Sequence, residues 1–291
     1  MAREKLGNRR VTGKEQYYTP PAIAVQVCDL VQQHVPDCQQ RTWLEPAGGT
    51  GVFIEEARSR GVRSILSFDI EPLHPDVKEG DFLEQSLDLS GAVAVSNPPF
   101  GRNNALSVPF FNRCASYCDV IAFIVPRSWR KWSVTNRLDQ GFHLVEDVDL
   151  SINYVDAMGV SNHANNNLRT CVQLWQRRSE LRERVKIPDL GVVRKTTPDL
   201  ADVSLTVFGF SCGTVKTDFP RRRITTEMYL KLEHPRALEA LQNVEFSRFY
   251  NNVAYTEALA FPEINFLLNE YLFGSPYGDG SPIPLDQGAL F

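Results

Sequence analysis

The chain has no long hydrophobic run, no paired cysteines and no excess of positive charge, and each absence removes a class of function. No apolar stretch in its 291 residues reaches the length of a membrane span, and the N-terminal stretch is basic and polar without a signal-peptide core. Six cysteines, at positions 28, 38, 114, 118, 171 and 212, form no CxxC pair and no Cys/His cluster with zinc spacing, so neither a disulfide framework nor a metal site is expected. They read as buried thiols, and a cytoplasmic, reducing setting is expected. The five histidines are scattered, and His163 falls in a polar run that reads as a loop. A formal net charge of -4 excludes a generally basic nucleic-acid coating, so any polyanion must be met by local patches. Internal repeats and low-complexity tracts are also missing. What remains, 43% hydrophobic and 23% charged, is ordinary globular composition, enough for one large α/β domain with an appendage or for two modest domains.

The first fifteen residues carry Arg3, Lys5, Arg9, Arg10 and Lys14 and read as a flexible basic arm. The spacing of Ile23, Val27, Leu30 and Val31 predicts a helix over Pro20 to Val35, with Thr19 as its N-cap. Strands are expected at Arg41 to Leu44, Ser64 to Ile70, near Asp81, at Ala92 to Ser96, Val120 to Val125, His143 to Ile152 and Thr170 to Trp175. Helices are expected between them at Gly51 to Arg60, Val108 to Tyr117 and Ser133 to Gln140. This alternation predicts an α/β fold, a doubly wound and mostly parallel sheet over residues 16–180, whose right-handed crossovers bring the relevant strand tips to one edge. After the charged stretch Arg177 to Lys186 the pattern changes. A small C-terminal α+β region is expected over 181–291, with a β-rich run at Val203 to Phe210 and helices at Thr226 to Gln242 and Glu263 to Leu272.

Chemistry concentrates at the strand tips. Asn97-Pro98-Pro99-Phe100 follows the small, β-branched run Gly91 to Val95, which reads as a strand buried on both faces. An exocyclic amine on an aromatic ring is a poor nucleophile because its lone pair is delocalised. The Asn97 side-chain oxygen and the Pro98 carbonyl, aimed at its N–H bonds, would draw it toward tetrahedral geometry, with the prolines holding the carbonyl rigid and Phe100 stacking on the ring. The plainer alternative is a Pro-Pro turn ending a strand, with the phenylalanine in the core.

Upstream, Leu44-Glu45-Pro46-Ala47-Gly48-Gly49-Thr50-Gly51-Val52-Phe53 is a strand-to-helix turn that lets a ligand approach the backbone. Val52-Phe53 stands where a phosphate loop needs Lys-Ser/Thr, and the GxGxxG spacing is missing. An acidic residue entering the turn is unfavourable beside a pyrophosphate and favourable beside a cation, which suits Glu45 to S-adenosylmethionine, a sulfonium that also carries an ammonium. Asp69, at the second strand tip, is expected at the ribose, with Glu71 competing for the hydroxyls, and Ile70 beside it is expected to touch the cofactor; Asp81 and Phe82 are expected at the adenine.

With these residues the chain resembles the amino-methyltransferases that carry a methyl group from S-adenosylmethionine to adenine N6 in DNA. Their glycine motif, D/E-P-x-x-G-x-G, matches Glu45, Pro46, Ala47, Gly48, Gly49 and Gly51, and their catalytic N/D/S-P-P-Y/F/W matches Asn97 to Phe100. Gln16-Tyr17-Tyr18-Thr19-Pro20-Pro21 resembles the family's N-terminal cofactor element, which assigns Tyr18 and Thr19 to the cofactor. Val125 to Trp129 resembles the loop bordering the base pocket. The order of these elements is that of the subgroup whose target-recognition region lies C-terminal. The resemblance covers residues 15–180 and implies a seven-stranded Rossmann-like methyltransferase sheet. It also implies direct transfer to a flipped or single-stranded base, in a bacterial or phage-encoded setting such as restriction-modification. RNA adenine N6, guanine N2, a protein glutamine and a non-catalytic cofactor-binding module remain as alternatives.

The residues expected to meet a phosphate backbone are Arg127, Arg130 and Lys131, with Arg221-Arg222-Arg223 as a second cluster. Trp129, Trp132 and Tyr154 are the candidates for the second face of the base. A monomer or homodimer is expected, with a partner subunit left open.

Overall fold

The computed structural model describes residues 17–155, 158 and 167–278, so the basic arm and His163 lie outside the described residues. The chain divides into two compact units. The first comprises the described residues through Trp129 together with Ser133–Glu183; the second comprises Arg130–Trp132 and the described residues from Arg184 onward. No helix among the described residues is long and apolar enough to cross a membrane.

The first unit is built on a seven-stranded sheet. Strands β1 (Trp43–Glu45), β2 (Ile65–Asp69), β3 (Lys78–Glu79), β4 (Ala92–Ser96), β5 (Cys118–Pro126), β6 (Phe142–Leu150) and β7 (Thr170–Arg177) lie in the order β3-β2-β1-β4-β5-β7-β6. The five strands from β3 to β5 are parallel, and β7 runs antiparallel to both β5 and β6. This is the Rossmann-like, mostly parallel sheet of the sequence expectation. Every residue of β4 is buried, as its run of alanine, valine and serine requires of a central strand covered on both faces. Helices α1 (Pro21–His34), α2 (Val52–Ser59) and α3 (Ser107–Cys114) pack on the sheet at β7, β1 and β5 respectively.

Two local expectations fail for identifiable reasons. Thr19 makes no N-cap: the cap position of α1 is Pro20, whose carbonyl accepts from Ile23 and Ala24, and Pro21 presets the first turn. The helix expected over Ser133 to Gln140 is a single turn, α4 (Trp132–Thr135), since Val134, Thr135 and Asn136 are weak helix formers. The Asn112 side chain then captures the Asp139 backbone N–H at 2.8 Å.

In the second unit β8 (Val193–Lys195), β9 (Val203–Thr206), β10 (Val215–Lys216) and β11 (Glu227–Leu232) form an antiparallel sheet in the order β10-β9-β11-β8. Helices α5 (Ala237–Asn243), α6 (Ser247–Tyr250) and α7 (Phe261–Phe273) complete it. The helix expected over Thr226 to Gln242 is therefore half strand. Pro235 separates the halves and bars a continuous helix, and Glu227–Leu232 pairs on both sides, with β9 and with β8. Arg130–Trp132 joins this unit because the Trp132 indole is buried there, stacked on Phe266 at 5.5 Å and meeting Phe249 edge-on.

Candidate active site

The C-terminal tips of β1, β2, β3 and β4 surround a cavity of about 480 Å³, lined among others by Tyr17, Tyr18, Thr19, the turn from Glu45 to Thr50, Asp69 to Glu71, Gly80 to Leu83 and Asn97 to Pro99. Strand order reverses between β1 and β4, the position where open α/β sheets leave a crevice for ligands. Glu45 and Asn97 stand on its two sides, and Ser96 Oγ donates to Glu45 Oε1 across it at 3.0 Å.

The glycine turn is shaped by what surrounds it. A Cβ on Gly48 would lie 2.2 Å from Ser67 Oγ and 2.9 Å from Val77 Cγ2. Gly49, at φ 46°, sits under the Tyr18 ring, and its N–H donates to Asp69 Oδ2 at 2.8 Å. Asp69 Oδ1 accepts the Glu71 N–H at 2.9 Å, so this carboxylate braces the turn against the tip of β2 and keeps spare lone pairs for a ligand. Asp81 caps a short turn by accepting the Leu83 N–H at 2.9 Å. Phe82 is buried between Phe68 and Phe110 while still touching the cavity.

Electrostatically the cavity has one sign. Glu45, Asp69, Glu71 and Asp81 line it, and no lysine, arginine or histidine does so among the described residues. Glu45 is buried, its Oε2 has no hydrogen-bond partner, and burial pushes its carboxyl well above the ordinary range; nearby Asp69 adds to the rise and the Ser96 bond opposes it. The Tyr18 phenol is raised by burial, then by Asp69 and Glu71. Such a pocket suits a ligand carrying positive charge and disfavours a phosphate. Ile70, Leu83, Leu106 and Phe110 give it apolar wall for a flat ring.

Asn97 is held from an unexpected direction. Its Nδ2 donates to the Tyr17 carbonyl at 2.8 Å and to Thr19 Oγ1 at 3.1 Å, while Oδ1 is buried without a partner. Beyond the tetrapeptide, the Phe100 carbonyl accepts from the backbone of Leu106 and Ser107, and Gly101 at φ 68° has no room for a Cβ beside Leu106.

The structure corrects several assignments made from sequence. Phe100 is not an open stacking platform; it is buried outside the cavity lining, beneath the Tyr17 ring, with centroids 5.6 Å apart. Tyr17, which the motif reading left without a role, contacts the rings of Phe100 and Tyr154 and, unlike Phe100, lines the cavity beside Asn97. Gly51 does not line the cavity: at φ 78° it is the left-handed entry to α2, packed against His74. Trp129 is fully buried and donates to Ser107, and Trp132 belongs to the core of the second unit, so neither offers a face to a base. Of the expected phosphate contacts, Arg127 pairs with Asp149 at 2.8 Å, and Lys131, in the second unit, is bound to the buried Glu263 at 2.7 Å. Arg130 is half-buried in the second unit as well. Arg221 packs over Phe219 and donates to the Ala201 carbonyl, leaving Arg222 and Arg223 exposed.

No family model matches the chain. A stretch of 106 residues is 28% identical to the Type II methyltransferase M.VspI of Vibrio sp. (strain 343), covering 30% of this chain and 25% of that protein. The match thus spans about a quarter of the length of the curated relative. A structure from Pyrococcus horikoshii described as an RNA methyltransferase aligns over 56% of this chain and 87% of its own, with 18% identity and a TM-score of 0.46. A structure from Vibrio vulnificus YJ016, described as a modification subunit of a type I restriction enzyme, aligns over 57% of this chain and 46% of its own, with 17% identity and a TM-score of 0.41. The fold assignment rests on the chain's own strand order and register.

Proposed function

We propose that the protein is an S-adenosylmethionine-dependent methyltransferase acting on an amino group of a planar base, and specifically on N6 of adenine in DNA. The observation that carries this reading is the Asn97 side-chain oxygen, a buried acceptor without a partner at the wall of an anionic cavity. A buried acceptor left unsatisfied is costly, so it calls for a donor supplied by a ligand. An exocyclic amine supplies two.

The cofactor, when bound, contributes a methyl group activated by a sulfonium. The residues present fit it: four carboxylates for a cation, a glycine turn without side chains, and apolar walls for adenine. Glu45 faces the positive charge, Asp69 and Glu71 take the ribose, and Ile70, Asp81 and Phe82 hold the adenine. Thr19 enters this reading through Asn97 and not through a helix cap. Asn97 Oδ1 and the Pro98 carbonyl accept the two N–H bonds of the target amine and free its lone pair. The methylated amine is strongly acidic, so its proton passes to water without a side-chain base. Tyr17 offers the ring against which the base packs.

Adenine in DNA is favoured by the intact Asn97 to Phe100 motif and by the stretch shared with a Type II methyltransferase. The test is transfer of labelled methyl from S-adenosylmethionine to DNA, RNA and protein in parallel, followed by nucleoside digestion and mass spectrometry. N6-methyladenine in DNA is the expected product. Label in RNA or protein alone would move the substrate, and no binding of the cofactor by calorimetry would overturn the reading.

A further inference from the structure

We propose that Thr19, together with the main-chain carbonyl of Tyr17, sets which end of the Asn97 amide faces the substrate, so that Thr19 is a positioning residue acting through Asn97. The inference rests on the function proposed above. An asparagine amide has two ends of similar size and opposite hydrogen-bonding character, and its own covalent structure does not choose between them. With the nitrogen turned toward the cavity, an incoming amine would meet donors where it needs an acceptor.

The choice is made by the segment before α1. The Tyr17 carbonyl can only accept a hydrogen bond, so the Asn97 atom 2.8 Å from it must be the nitrogen. Thr19 Oγ1, 3.1 Å from the same nitrogen, takes its second N–H. Both donors are then used by protein acceptors, on two residues that line the cavity beside Asn97, and Oδ1 is left as the buried, unpartnered atom. A flipped amide would set Oδ1 against the carbonyl oxygen, lone pair to lone pair. Thr19 is free for this duty: it is buried and makes no capping bond to α1, although a threonine before a proline-opened helix would ordinarily be placed to do so. Its backbone is confined to extended conformations by Pro20. The neighbouring residue is anchored too, since the Tyr18 carbonyl accepts the Val155 N–H at 3.3 Å in an antiparallel bridge. Segment 17–19 therefore forms a fixed clamp on a side chain 78 residues further along the chain.

Thr19→Val keeps the shape and removes the acceptor, whereas Thr19→Ser keeps the acceptor. The first readout needs no substrate: the side-chain NH2 resonances of Asn97, identified by their loss in Asn97→Ala. Their exchange with water should accelerate about tenfold in Thr19→Val and stay within about twofold in Thr19→Ser, as expected for loss of one hydrogen bond. The second is the kinetic split: kcat for methyl transfer should fall by roughly ten- to a hundredfold in Thr19→Val, with cofactor Kd and substrate KM nearly unchanged and Thr19→Ser close to wild type. Unchanged amide exchange in Thr19→Val would overturn the inference. So would a loss of cofactor affinity matching the loss of kcat, which would make Thr19 a cofactor contact. If exchange responds as expected while the wild-type protein methylates neither DNA, RNA nor protein, the clamp stands and the proposed function fails.

Discussion

Glu45→Gln is expected to stabilise the ligand-free protein and to weaken cofactor binding, and both effects should depend on pH. In the folded chain the Glu45 carboxyl is buried and raised well above its ordinary 4.5. The folded state therefore holds a proton that the unfolded chain releases. Its contribution to stability is fully present below about pH 4.5 and is lost as pH rises toward the folded pKa, at about 1.4 kcal/mol per pH unit for one proton. Glutamine has no proton to lose, so the variant lacks this slope. For a chain of this size each 1.4 kcal/mol corresponds to roughly 3–6 °C in Tm. The gap in Tm between variant and wild type should therefore widen with pH above 4.5, until the folded carboxyl itself ionises.

Binding a cation demands the ionised form, so wild-type affinity for S-adenosylmethionine should rise with pH, with proton release measurable by calorimetry in buffers of different ionisation enthalpy. Glu45→Gln should lose the pH dependence and roughly ten- to a hundredfold of the affinity at neutral pH, the scale of one hydrogen bond to a charged group. Thermal unfolding of both proteins from pH 4.5 to 8, with and without cofactor, supplies the data. Parallel Tm curves in the ligand-free proteins would refute the buried, protonated carboxyl, and unchanged affinity would refute its role at the sulfonium.

Asn97→Ala should abolish methyl transfer, by more than about a hundredfold, while leaving the cofactor Kd within about threefold; a matching loss of cofactor affinity would sink that division of labour. Asp69→Ala removes the acceptor for the Gly49 N–H and should weaken cofactor binding before it affects the turnover of saturated enzyme, as calorimetry and initial rates would tell. Gly48→Ala should lower stability by about 1–3 kcal/mol, because its Cβ arrives 2.2 Å from Ser67 Oγ. Adding Ser67→Ala should recover part of that loss, since the hydroxyl is buried without a partner, and an unshifted Gly48→Ala melting curve would contradict the packing. Lys131→Met should destabilise the second unit by about 3–5 kcal/mol through the stranded Glu263 carboxylate, with no change in DNA affinity of the folded protein. A reduced salt slope of DNA binding at unchanged stability would restore Lys131 as a phosphate contact.

Much of the sheet was legible because its strands carry their own signature. Ala92–Ser96 and Cys118–Pro126 are continuous apolar runs that suit only strands covered on both faces, and the turns between them hold glycine, proline or aspartate. Periodicity failed where the partner decided. Glu227–Leu232 becomes a strand because edges of β8 and β9 are there to receive it. The segment after Trp132 loses its helix to a side chain, Asn112, from another part of the chain.

At the site, the residue types and their spacing were determined by the sequence itself: an acidic glycine turn, an acidic second tip, a third acidic turn and Asn97-Pro98-Pro99-Phe100, in an order that a parallel sheet gathers at one edge. Only the tertiary structure decided who meets whom. Lys131 is neutralised by a carboxylate 132 residues away, Phe100 is covered by Tyr17, and the Asn97 amide is oriented by Tyr17 and Thr19. Motif spacing records contacts made along one strand tip, because chain connectivity fixes them. Contacts between distant segments depend on which faces the completed sheet brings together, and no local pattern encodes that.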